Sequence, residues 1–123
     1  MVNNSLTLIR GDTFVFPIEL TFGTKFDPEY FYMSDDDKLY VGIREYNSLF
    51  DDSIVRKVYT TKSDEYDNGV VNFTLHPKDS ELLITGTYYL CAKLFIPANT
   101  INNPSDTDVV RTVLKDTLFY IVD

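Results

Sequence analysis

"GTYYLCAKLFI", residues 86 to 96, decides the fold class. Its even positions are Tyr88, Leu90, Ala92, Leu94 and Ile96, and its odd positions include Tyr89, Cys91, Lys93 and Phe95. Side chains of an extended chain point alternately to opposite faces, so this pattern lays an unbroken apolar row along one face. Wound as a helix, the same residues would scatter around the axis and form no single stripe. The stretch reads as a strand begun by Gly86, apolar enough to be the central one of a sheet.

The same two-residue period continues in both directions. The partner of this strand is the segment from Asp108 to Val122, reached through "PANTINNPSDTD", whose Pro, Asn and Asp content marks an exposed loop. In that segment either Leu118 and Tyr120 or Phe119 and Ile121 face inward, and the pattern leaves both open. Toward the N-terminus, "PKDSELL", residues 77–83, is the one helical turn, with Pro77 at its first position and Leu82 and Leu83 placed to plug one end of the core. Asn68-Gly69 opens a strand with Val71, Phe73 and Leu75 on one side. Ile54 to Tyr59 is a shorter strand expected to pair with the row Leu39, Val41 and Ile43, which has Tyr40, Arg44 and Tyr46 opposite. After Gly11-Asp12, Phe14, Phe16, Ile18 and Leu20 alternate with Thr13, Val15, Pro17 and Glu19. Pro17 has no amide to donate, so it belongs at an edge or a bulge.

About seven strands, short turns and no helix-length amphipathic segment predict an all-β fold: a two-sheet antiparallel β-sandwich of immunoglobulin-like size, because a lone sheet would leave one apolar face wet. At 123 residues, a single domain spanning 1–123 buries enough surface to stand without disulfides or a structural metal. The hydrophobic fraction of 44% is incompatible with a wholly disordered chain, and no apolar run approaches the ~20 residues of a membrane span. Met-Val-Asn-Asn-Ser at the start is not a basic patch followed by an apolar stretch, so synthesis in a cytoplasm without a secretory signal is expected. Eleven basic against nineteen acidic residues give a net charge of -8, which repels phosphate backbones and argues against a nucleic-acid partner.

The candidate chemical sites are few. Arg10-Gly11-Asp12 matches a cell-adhesion tripeptide, but apolar strands press on it from both sides, and Gly11 serves a kink that β-branched residues resist; it reads as strand punctuation. Asp35-Asp36-Asp37 and Asp51-Asp52 offer oxygens to a cation, yet the spaced calcium-loop pattern is not there, so a solvated turn is the expectation. Cys91 and His76, each the sole residue of its type, do not make a Cys/His metal cluster, and neither sits in a nucleophile or zinc-hydrolase motif. No catalytic residue, cofactor or metal is expected, and no enzyme activity. The longest gap between strands, Gly23 to Lys38, carries Phe26, Tyr30, Phe31 and Tyr32 beside the aspartates, and loops of that length are often functional.

"LTLIRGDTFVFPIEL", "DKLYVGIRE", "DDSIVRKVYT", "GVVNFTLHPKDSELLITGTYYLCAKL" and "VVRTVLKDTLFYIVD" together resemble the immunoglobulin-like domain of phage tail baseplate proteins, particularly the start of baseplate upper proteins. In that family an Arg-Gly-Asp-Thr/Ser segment followed by alternating aromatics begins the domain, and Arg10, Gly11, Asp12, Thr13, Phe14 and Phe16 match it. Leu75, Pro77, Leu82, Gly86 and Tyr88 fall on its later positions. Two features depart from the family: its members continue into a linker, fibre or receptor-binding module, and the acidic-aromatic segment Phe26 to Asp37 has no counterpart. The resemblance implies a virion structural protein, a separate small subunit made in a bacterial host. Its partners would be tail, baseplate or capsid proteins or further copies of itself in a homo-oligomer, and it would serve particle assembly and host attachment. Aromatic anchors for such docking would be Tyr30, Phe31, Tyr32, Tyr46 and Phe50. A carbohydrate-binding sandwich and a capsid decoration protein are the alternatives.

Overall fold

The computed structural model describes residues 6–23, 28–45 and 48–122. Among them are ten strands: β1 (Leu6–Ile9), β2 (Phe14–Glu19), β3 (Thr21–Gly23), β4 (Pro28–Tyr30), β5 (Lys38–Glu45), β6 (Val55–Tyr59), β7 (Tyr66–Asp67), β8 (Val70–Leu75), β9 (Gly86–Ile96) and β10 (Val109–Val122). A short helix, α1 (Pro77–Ser80), and a 3₁₀ turn at Phe50–Asp52 complete the described elements. The protein is mostly β, as the two-residue period requires.

The larger sheet has five strands in the order β1-β10-β9-β5-β6, and the smaller has three in the order β2-β8-β7, with β3 and β4 forming a separate pair. β9 is hydrogen-bonded on both sides, to β10 and to β5. Two corrections follow for the strand count and the sheet type. There are ten described strands rather than about seven, because β3, β4 and β7 are short pairings with little apolar period of their own. The larger sheet is mixed rather than antiparallel, since β1 runs parallel to β10, Leu6 opposite Phe119 and Leu8 opposite Ile121.

The inward faces of the two larger sheets feed one hydrophobic cluster. Leu39, Val41, Ile43, Leu90, Ala92, Leu94, Phe119 and Ile121 come from the five-stranded sheet, and Ile18, Val71, Phe73 and Leu75 from the other. Across the gap the Phe14 ring meets the Phe119 ring edge-on, centroids 5.3 Å apart. Burying each such Leu, Ile or Phe side chain contributes about 1.5–3 kcal/mol, which makes this row the main source of stability.

The inward parity of β10 is settled by its register. Val109 pairs with Ile96 and Thr112 with Lys93, but Leu114 then pairs with Ala92 and Thr117 with Leu90, so β10 slips twice by one residue. Each slip moves side chains to the other face, and the second undoes the first. Val109 before the slips, Leu114 between them and Phe119 and Ile121 after them therefore all turn to the core, and Val113, the extra residue of the first slip, packs against it too.

Turn chemistry fixes the ends. Asn68 and Gly69 both have positive φ, 45° and 88°, the combination that closes a two-residue hairpin between β7 and β8. β2 is an edge strand, and Pro17 sits on it opposite Asn72. Leu83 is fully buried after the α1 turn, whereas Leu82, expected to share that role, is exposed: as successive residues of the same turn, their side chains take different directions. The Tyr88 hydroxyl donates to the Ile84 carbonyl at 2.8 Å and ties the start of β9 to this corner.

An inward-pointing charge closes the sandwich edge. Lys57 on β6 donates to the Thr74 carbonyl on β8 at 2.8 Å and to the Asp79 carboxylate on α1 at 3.0 Å, so one ammonium joins both sheets and the helix. Asp79 also accepts the His76 amide at 2.9 Å. Burial alone would push the Asp79 carboxyl up, but the His76 and Lys57 hydrogen bonds and the Lys57 charge outweigh it and hold the carboxyl below its ordinary value. A group depressed in this way stabilises the fold above its unfolded pKa and stops doing so as pH falls through its folded value. Asp79→Asn is expected to lower stability at pH 7 by about 1 kcal/mol. In urea titrations repeated across pH, the gap from wild type should shrink below pH ~4 and close as Asp79 protonates.

Candidate functional site

The core row of each strand in the larger sheet leaves a second row facing outward. On β5 it is Lys38, Tyr40, Gly42 and Arg44; on β6, Arg56 and Val58; on β9, Tyr89, Cys91, Lys93 and Phe95; on β10, Val110, Thr112, Leu118 and Tyr120. Val58 and Val110 are 52% and 62% exposed, unusual for strand valines unless the surface is meant to be covered. These positions carry Lys38, Arg44, Arg56 and Lys93 and, among the described residues, no acid. In a chain of net charge -8 these strand positions invert the local sign, with the exposed Asp52 of the neighbouring turn as the acid beside them.

The 3₁₀ turn at Phe50–Asp52 lies on this face and divides it. Phe50 is the shared wall of three clefts: one of about 600 Å³ with Arg44, Leu49, Cys91 and Lys93, one of about 280 Å³ with Tyr40, Arg56 and Val58, and one of about 310 Å³ with Tyr40, Phe95 and Val110. Gly42 makes the turn possible. A Cβ there would collide with the Ser53 hydroxyl and come within 3.3 Å of the Phe50 ring. Ser53 donates to the Phe50 carbonyl at 2.6 Å and holds the turn shut.

Two of the cations on the face lie over aromatic rings. Lys93 lies 4.8 Å from the Phe50 ring centroid and Arg44 4.9 Å from that of Tyr89. The Arg56 Nε donates to the Ser53 carbonyl at 3.3 Å, and Arg44 donates to the Ser48 carbonyl at 2.6 Å. Neither Arg56 nor Lys93 forms an ion pair among the described residues, so both keep charge for an incoming anion. Apolar clefts edged by cations suit a partner that brings aromatic side chains together with carboxylates.

The structure separates the residues singled out in the sequence. Phe50 stands at the centre of the face. Tyr30, 48% exposed, and Tyr32, 60% exposed, belong to the segment that leads from β4 into β5, and Phe31 between them turns inward against the core. Tyr46 lies outside the described residues. The aspartate triplet divides as well: Asp35 and Asp36 are exposed, whereas Asp37 is fully buried and structural. One Asp37 oxygen accepts the Ser34 amide at 2.9 Å and the Asn102 amide nitrogen at 2.7 Å. No group of three or more His, Cys, Asp or Glu suited to a metal occurs among the described residues.

His76 precedes α1, and the buried Cys91 thiol faces the Gly42 carbonyl at 3.8 Å. Arg10-Gly11-Asp12 forms the turn between β1 and β2. The Asp12 amide donates to the Ile9 carbonyl, Gly11 takes φ 93°, and its amide donates to the Ser80 hydroxyl at 3.0 Å. That turn carries the chain from one sheet to the other.

The sequence signal for the outward face was the other parity of the same strands. Lys93 and Phe95 were visible as the second row of β9, but only strand order brings Val58 and Val110 beside them. No helix among the described residues is long and apolar enough to cross a membrane. No known family model matches the chain, and no curated protein is similar to it at a significant level.

Gly42→Ala should push the 3₁₀ turn off the sheet and destabilise the fold by about 1–3 kcal/mol. The loss is read from the urea midpoint, and the movement from altered protection of the Ser53 amide in hydrogen exchange. Unchanged protection would show that the turn does not depend on the missing side chain.

Proposed function

We propose that this chain is a structural, protein-docking subunit of a bacteriophage virion, of the tail or baseplate kind, built as an immunoglobulin-like β-sandwich and acting through the outward face of its larger sheet. The observation that carries the docking part is that face: aromatic and aliphatic side chains exposed around Phe50, edged by cations on an otherwise acidic chain.

Strand order supports the immunoglobulin-like part. In variable-type immunoglobulin sandwiches a G-F-C-C′ sheet packs on one containing B, E and D. Taking β2 as B, β5 and β6 as C and C′, β7 and β8 as D and E, and β9 and β10 as F and G reproduces both orders. The Tyr88 hydroxyl bonded to the Ile84 carbonyl resembles the tyrosine corner at the start of strand F. The virion part rests on the resemblance of Arg10 to Phe16 and of the later strands to baseplate domains. Docking would then proceed by burial of the exposed side chains, with a few anchors such as Phe50 and Tyr40 supplying most of the affinity.

The test is location and contact in one experiment. Gradient-purified particles from the producing culture are cross-linked through lysines and read by mass spectrometry. The chain is expected among the virion proteins, with Lys93 or Lys38 joined to a neighbouring structural protein. Its exclusion from particles while abundant in the lysate would overturn the reading.

A further inference from the structure

The docking face has a complement on the same molecule. Residues 29–36 alternate Tyr30 outward, Phe31 inward, Tyr32 outward and Met33 inward, and they add exposed Glu29, Asp35 and Asp36. The segment thus presents two tyrosines and three carboxylates, the chemistry that apolar clefts edged by cations accept.

This segment is rigidly presented. The Phe31 amide donates to the Leu20 carbonyl at 2.7 Å, the Met33 amide to the Tyr66 hydroxyl at 2.8 Å, and Thr61 donates to Asp35 at 2.7 Å. Asn102 clamps it from the other side, donating to the Tyr32 carbonyl at 3.0 Å and to Asp37. Two consequences follow. Little conformational entropy remains to be lost on binding, which favours affinity. The segment is also tied to the β6–β7 turn and the 97–108 loop, and none of its residues lines the Phe50 clefts of its own chain.

We infer that the occupant of the outward face is the 29–36 segment of a second copy of this chain, with Tyr30 and Tyr32 entering the clefts beside Phe50 and Asp35 and Asp36 meeting Lys93 and Arg56. The inference rests on the outward face being a protein-docking surface. Because the two surfaces in contact differ, the association is head-to-tail: each copy keeps a free face and a free segment, and the contact repeats into a ring or a filament.

Complementation distinguishes this from every symmetric dimer. The face variant is K93E/R56E and the segment variant Y30E/Y32E, all at exposed or half-buried positions and all adding acid so that the two altered surfaces repel each other, with wild-type circular dichroism as the check on folding. Should K93E/R56E fail to fold, V110E replaces it. In sedimentation velocity from micromolar to millimolar protein, wild type is expected to form species larger than a dimer. Each variant alone should associate about tenfold or more weakly. A one-to-one mixture of the two should yield a dimer and nothing larger, since only one productive contact remains.

Wild type that stays monomeric throughout overturns the inference, and the particle cross-link then judges the docking reading alone. Association lost in the face variant but kept in the segment variant also overturns it, while leaving the face as a docking surface for something else. A mixture that does not combine overturns it as well.

Discussion

The apolar row Tyr88, Leu90, Ala92, Leu94 and Ile96 must leave water on one side while the backbone that carries it is hydrogen-bonded on both edges. Those two demands set most of the remaining structure. Pairing both edges of β9 recruits β10 and β5, whose own inward rows widen the apolar surface until it needs a second layer. The β2 and β8 rows supply that layer, and Phe14 against Phe119 marks where the layers touch. Features at the margins serve the same closure. Lys57 spans from the larger sheet to Thr74 and Asp79, and the Tyr88 hydroxyl pins the corner from which β9 starts.

Satisfying the inner face leaves the outer one with a different composition. Strand parity puts Lys38, Tyr40, Arg44, Lys93 and Phe95 on the side away from the core, where no folding demand selects aromatics or cations. A face free of that demand but carrying exposed valine and tyrosine around half-buried phenylalanine has a cost in solubility that a partner would offset. The 3₁₀ turn sharpens the point. It relies on Gly42 having no side chain, and it sets Phe50 upright among three clefts where a plain strand connection would leave a flat sheet. On the proposed reading, this relief makes the surface specific as well as sticky.

Acidity is distributed in the opposite way. Asp37 is buried in service of the 31–37 segment, and Asp35 and Asp36 beside it remain outside. Consecutive aspartates look alike in a sequence, yet one is a structural acceptor and two are surface charge. The difference lies in what stands opposite: Asn102 and Ser34 reach Asp37, and these partners are remote or unremarkable along the chain. The Arg10-Gly11-Asp12 turn is a similar case, since Ser80, which receives the Gly11 amide, is distant in sequence.

By itself the sequence determined that the chain is built of strands, which residues of β2, β5, β8 and β9 face inward, that β9 is central, and that Asn68-Gly69 and Pro77 mark a turn and a helix start. All of these follow from local period and local backbone preference, which are properties of neighbouring residues. Only the tertiary structure decided the rest. The parallel seat of β1 and the two one-residue slips in β10, which together restore the inward face, are choices of register, made by partner strands rather than by the strand's own pattern. The exposure of Leu82 beside buried Leu83, the burial of Asp37 and the gathering of Val58, Val110 and Phe50 onto one face depend on residues far apart in the chain. A one-dimensional pattern records which side a residue takes but not what stands across from it.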